Sequence, residues 1–209
     1  MSGAAIAALQ NLRVAGPAPI AGYSRDQFGQ AWTDDVTVDG GHNGCGTRDD
    51  VLRRDLKSVT VKPTSQGCVV VNGQLDDPYT GQLIGFVRGP NSDDIQIDHV
   101  VALGDSWQTG SAQLTSQERT DFANDPLELL AVDGPTNEAK GDGDAASWLP
   151  PRESYRCRYV ARQIAVKAKY RLWVTPAERD AMSAVLGSCP GQPLPGDTDV
   201  DVATPRPVR

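Results

Sequence analysis

The chain has 209 residues, 39% of them hydrophobic, enough to bury one good core and few for two domains. Its formal charge of −7 argues against binding nucleic acid through net charge alone. No apolar run approaches the roughly eighteen residues of a membrane-spanning helix, so no membrane partner is expected.

Residues 4–14, dominated by Ala and Leu, predict a short helix that Pro17 and Pro19 end. Residues 1–19 are read as an N-terminal extension. Ser24 is placed to cap a second helix over 24–33. After a Gly-rich link at 40–44, Thr47–Leu56 predicts a third, with Thr47 as N-cap and Val51, Leu52 and Leu56 on one face. The period then changes. Residues 59–61, 68–71, 83–87 and 95–100 read as strands, with a turn at 77–81 set by Pro78 and Gly81. A polar helix follows over 115–122, then an apolar run over 127–132 and a tight turn, Asp133-Gly134-Pro135, into a helix from Thr136. Pro150-Pro151 breaks the chain before a long helix over 154–172. Thr175 and Pro176 open the last helix as N-cap and first position. Prolines and lost apolar spacing predict a disordered tail over 190–209, leaving 20–189 as the folded domain.

The N-terminus lacks the basic start of a signal peptide, yet four cysteines in two separated pairs point to an oxidising compartment. Three pairings are open. The sequential one, Cys45–Cys68 and Cys157–Cys189, is preferred because each bridge then clips a local loop, contributing about 3 kcal/mol. No Cys-x-x-Cys is present, against a zinc knuckle. The expectation is a secreted protein whose signal peptide is absent from this chain, with Met1 a replacement start.

Chemistry concentrates in Ile97-Asp98-His99-Val100-Val101, the run Leu127-Glu128-Leu129-Leu130, and Asn137-Glu138-Ala139-Lys140-Gly141-Asp142. A carboxylate and an amide oxygen suit one hard divalent cation. A neutral imidazole suits a general base near pH 7. Taken alone, an Asp98 that caps a turn beside a satisfied core His99 would be the better reading of the pair. The other histidine, His42, lies in a Gly-rich loop and reads as a surface residue.

These motifs resemble the HNH nucleases of the ββα-metal superfamily. They are especially similar to secreted actinobacterial HNH endonuclease-family proteins and to the C-terminal domain of GmrSD-type restriction enzymes. Gly22-Tyr23-Ser24-Arg25, Cys45-Gly46-Thr47-Arg48-Asp49, Asp77-Pro78-Tyr79-Thr80-Gly81, Asp144 to Pro151 and Tyr155-Arg156-Cys157 extend the likeness over residues 20 to 190. It implies an α+β fold with a ββα-metal core and flanking helices. It implies a DNA endonuclease of little sequence specificity, with RNA left open and no oligomeric state indicated. Asp98 and Asn137 would hold one Mg2+ or Mn2+, and irregular backbone at the strand end would let Asp98 reach it while His99 faces water. Glu128 stands where the family has an Asn, which puts the support of His99 in doubt. A carboxylate beside His99 would raise its pKa. Lys140, three residues after Asn137, would touch a phosphate. A non-catalytic nucleic-acid-binding protein on the same scaffold is the alternative.

Seven cations against one Glu lie between Arg152 and Arg171. Arg158, Arg162 and Lys169 share one face of the predicted helix and are read as the nucleic-acid contact. Arg48 is open between an internal carboxylate and a substrate phosphate, with the carboxylate preferred.

Overall fold

The computed structural model describes residues 4–200 and 202. Helix α1 (Ala4–Asn11) is followed by a 3-10 turn (Arg25–Phe28) and by α2 (Thr47–Asp55). Strands β1 (Lys57–Val61), β2 (Val70–Asp76) and β3 (Leu83–Val87) form an antiparallel sheet in that order. Strand β4 (Ile95–His99) pairs antiparallel with β5 (Leu129–Asp133), and α3 (Leu103–Gln108) and α4 (Ser116–Asn124) lie between them in sequence. Helix α5 (Gly134–Lys140) leaves β5 directly, and α6 (Glu153–Lys169) and α7 (Pro176–Gly187) complete the fold.

The β4–β5 pair separates two cores. Ile95, Ile97, Leu129 and Ala131 pack toward α2 and the larger sheet. Leu130 and Val132 pack on the other side, with Tyr159, Val160 and Ile164 of α6. Strand alternation produces this split from one hairpin-like pair. Thr115 and Thr175 cap α4 and α7 through capping boxes with Glu118 and Glu178. The bridges are Cys45–Cys68 and Cys157–Cys189, and no described cysteine is free.

The sequence misplaced several features. The helix over 24–33 shrinks to the Arg25–Phe28 turn, because Gly29 at φ 78° and Trp32 at φ 59° turn the chain away. A Cβ on Gly29 would stand 2.4 Å from Thr120 Oγ1, so the turn packs closely on α4. Thr47 does not cap α2; its hydroxyl donates to the Thr33 carbonyl at 2.8 Å. Helix α3 was not foreseen, being short and interrupted by Gly104.

The terminal segments are also more integrated than expected. Ala5 and Leu9 of α1 are buried in the α6 core. Of the tail, Asp197 pairs with Lys169, Arg54 donates to the Val200 carbonyl at 3.2 Å, and Val202 is buried. Residues 201 and 203–209 lie outside the described residues.

The largest correction concerns α6. Arg162 is buried and donates to the carbonyls of Pro126, Leu127 and Leu129 at 2.7–2.8 Å, tying down the entry to β5. Lys169 pairs with Asp125 and Asp197, both at 2.7 Å. Buried Lys167 lies 3.1 Å from Asp105 and 2.8 Å from Glu178. Helix α6 is thus a central column, because its Ala, Val and Ile positions need the core and carry the cations inward with them. Of the three residues assigned to nucleic acid, Arg158 alone is exposed.

Candidate active site

A cleft of about 630 Å³ opens where β4 ends, between α5, the Tyr23–Trp32 segment and the start of α2. Asp98, His99 and Asn137 all line it. Glu128, Lys140 and the α6 cations do not.

The pairing of β4 with β5 runs without a shift from Ile95↔Asp133 to His99↔Leu129. No irregular backbone intervenes, so Asp98 and His99 project to opposite faces. Their partners agree. His99 stacks on Trp32, with ring centroids 6.0 Å apart and planes 18° from parallel. Its Nε2 lies 3.0 Å from the Ala123 carbonyl oxygen. A carbonyl can only accept, so Nε2 carries the proton and Nδ1 of the neutral ring keeps its lone pair. Burial pushes the imidazole pKa down to about 4, reinforced by Lys140 and Arg25 and opposed by the Ala123 hydrogen bond. The ring is therefore a neutral base at pH 7.

Asp98 faces α5 and the α6 core. Its Oδ1 accepts from Lys140 Nζ at 2.7 Å, and its Oδ2 accepts from the Tyr79 hydroxyl. Lys140 also donates to the His99 carbonyl at 2.6 Å, and its side chain is fully buried. It cannot reach a substrate phosphate from there; it holds Asp98 and the strand end. The phosphate role expected of Lys140 is replaced by a structural one, because α5 turns that position into the fold.

Glu128 is fully buried, and both its carboxylate oxygens lie 3.2 Å from the Val101 N–H. Burial raises its pKa well above the ordinary carboxylate range. The expected rise in the His99 pKa is absent, since burial dominates there and drives it downward. Glu128 instead fastens the chain just beyond the histidine, with its own carbonyl accepting from Val100 N at 2.9 Å.

Asn137 is half-buried, and its Nδ2 donates to Gln96 Oε1 at 2.9 Å, orienting the amide. Its oxygen has no described partner. Asp98 uses two of the roughly four lone-pair positions of a carboxylate. Both residues offer hard oxygen donors at the cleft, so the pair fits a divalent cation chemically, with the Lys140 ammonium as a competing charge on Asp98. A second acidic group, Asp105, Asp144 and Glu178, has the Lys167 ammonium paired with Asp105 and Glu178, a competing charge for any cation there. His42 is exposed, 3.8 Å from Asp35.

The sequence model for the C-terminal domain of GmrSD restriction endonucleases matches residues 46–185. The chain belongs to the GmrSD C-terminal domain family. It is also 39% identical over 183 residues to an uncharacterized secreted protein of Arthroderma benhamiae, covering 87% of this chain and 82% of that one. No solved structure matches. The GmrSD match begins at α2 and includes Asp98, His99 and Asn137. Tyr23, Arg25 and Trp32, which complete the cleft, precede it.

Tyr79 and Trp32 were not singled out as site residues from sequence. Tyr79 sits in the Asp77–Gly81 turn, whose Pro and Gly signalled geometry and not the hydroxyl. For Trp32 the signal was an aromatic in a stretch wrongly assigned to helix. Among the described residues Arg48 forms no ion pair with a carboxylate; its Nη2 donates to the Ser92 carbonyl at 3.4 Å.

Proposed function

We propose that the protein is a secreted, divalent-cation-dependent HNH endonuclease that hydrolyses DNA with little sequence specificity. The observation that carries this reading is His99: a neutral imidazole, its Nε2–H fixed on a carbonyl, in a cleft with two oxygen donors. Membership of the GmrSD family supports a nuclease. Two disulfides and the secreted relative support an extracellular location.

In this reading His99 Nδ1 accepts a proton from the attacking water. The Ala123 carbonyl then stabilises the imidazolium, and Trp32 limits rotation of the ring. Asp98 and Asn137 would hold the cation, which when bound neutralises charge on the phosphoryl group and the departing 3′-oxygen. Tyr79 and Lys140 orient Asp98, and Gln96 orients Asn137. The products expected are 5′-phosphate and 3′-hydroxyl ends.

The engagement of both Asp98 oxygens favours one second reading, a nucleic-acid-binding protein that does not cut. Supercoiled plasmid incubated with Mg2+ or Mn2+ separates the two. Nicking that is lost in EDTA and in His99→Ala supports the nuclease; a gel shift of intact plasmid under both metals selects the binding protein.

A further inference from the structure

The cations that the sequence assigned to nucleic acid are mostly committed within the fold. Lys140 is buried on Asp98, and Arg162 and Lys169 hold oxygens within the fold. Arg25 and Arg48 differ. They line the cleft with His99 from two separate segments, the Arg25–Phe28 turn and the first turn of α2. Among the described residues neither forms an ion pair.

Arg48 is half-buried with its guanidinium 5.8 Å from the centre of the Phe86 ring. One long bond to Ser92 occupies one of its five N–H donors. Burial lowers its pKa, Arg88 adds to that, and Asp49 and Asp93 oppose it. Arg25 is exposed and interacts with the Tyr23 hydroxyl, itself not an anion at neutral pH. A planar guanidinium fork with no ion-pair partner is matched to a phosphate. The cleft also carries Asp93, Glu138 and Asp142. Those carboxylates repel a nucleic-acid backbone except where a cation stands.

We propose that Arg25 and Arg48 form a phosphate clasp, gripping the backbone of the nucleic acid presented to His99. This rests on the nuclease reading for its substrate, but its binding test does not require cleavage. Helix α6 then takes no part in recognition, in spite of its cation density.

The test is anisotropy titration of a fluorescein-labelled DNA duplex with the full chain in EDTA across a range of salt concentrations. Arg25→Gln and Arg48→Gln should each weaken binding about tenfold and flatten the salt dependence by about one unit of slope. Arg48→Lys should keep the slope and lose part of the affinity, because the charge remains and the fork does not. Arg158→Gln should match the native protein. Native affinity and slope in both cleft Gln variants overturn the clasp, as does a loss confined to Arg158→Gln or an absence of binding by the native chain. Plasmid cleavage by the same proteins in Mg2+ separates this from the nuclease reading. Cleavage with unaltered binding in the cleft variants removes the clasp alone. A flattened slope without cleavage by the native protein removes the nuclease alone.

Discussion

Helix α6 and the cleft at the end of β4 both carry arginines, and they use them in opposite ways. In α6, Arg162 binds three carbonyls and Lys169 two carboxylates, so their charge is spent on holding the fold. In the cleft, Arg25 and Arg48 form no ion pair among the described residues. The density of cations in a sequence therefore says less about nucleic-acid binding than the partners those cations find. Burial decides which: an amphipathic stripe that must face a core takes its charged residues inward and requires internal acceptors for them.

Four changes would break or sharpen this contrast. Lys140→Met leaves Asp98 buried with Tyr79 alone, and denaturant titration in EDTA should show a loss of about 4 kcal/mol. Added Mn2+ should restore part of that loss, more than it stabilises the native chain. An equal Mn2+ effect on both proteins would remove Asp98 from the cation site. Arg162→Met should cost about 2 kcal/mol by orphaning the buried Leu127 carbonyl, while Arg54 still donates to those of Pro126 and Leu129, without altering the salt slope of DNA binding.

The pH profile gives a smaller effect. With the His99 pKa pushed down to about 4, the base form persists as pH falls past 6.5, and cleavage should decline only near pH 4. Glu128→Asn should leave that acid limb in place; a downward shift would mean the carboxylate acts on the histidine after all. The unfolded chain takes up the histidine proton first, so this group's contribution is complete above 6.5 and is lost as pH falls toward 4. Smallest of all, Arg158→Gln should change stability by less than about 0.5 kcal/mol, read from the same denaturant curves.

Sequence reasoning reached the strands, the capping of α7 and both disulfides, because period, cap residues and loop closure are local signals. It brought Asp98, His99 and Asn137 to one cleft through motif spacing. It missed what depends on distant partners. Lys140 follows Asn137 by three residues, but nothing nearby in sequence announces that its ammonium ends on Asp98, forty-two positions away. Tyr79 reaches Asp98, and Trp32 reaches His99, only because two cores meet at the β4–β5 pair. The failed helix over 24–33 hid Trp32 as well, since Gly29 and Trp32, both at positive φ, turn the chain out of the expected helix.

The most direct test of His99 as the base is chemical rescue. Plasmid nicking by His99→Ala should fall by about a hundredfold to ten-thousandfold and recover partly on addition of imidazole, in proportion to its neutral form, because the cleft is open beside the deleted ring. Native-rate nicking by His99→Ala without imidazole would contradict the account and move the base elsewhere in the cleft.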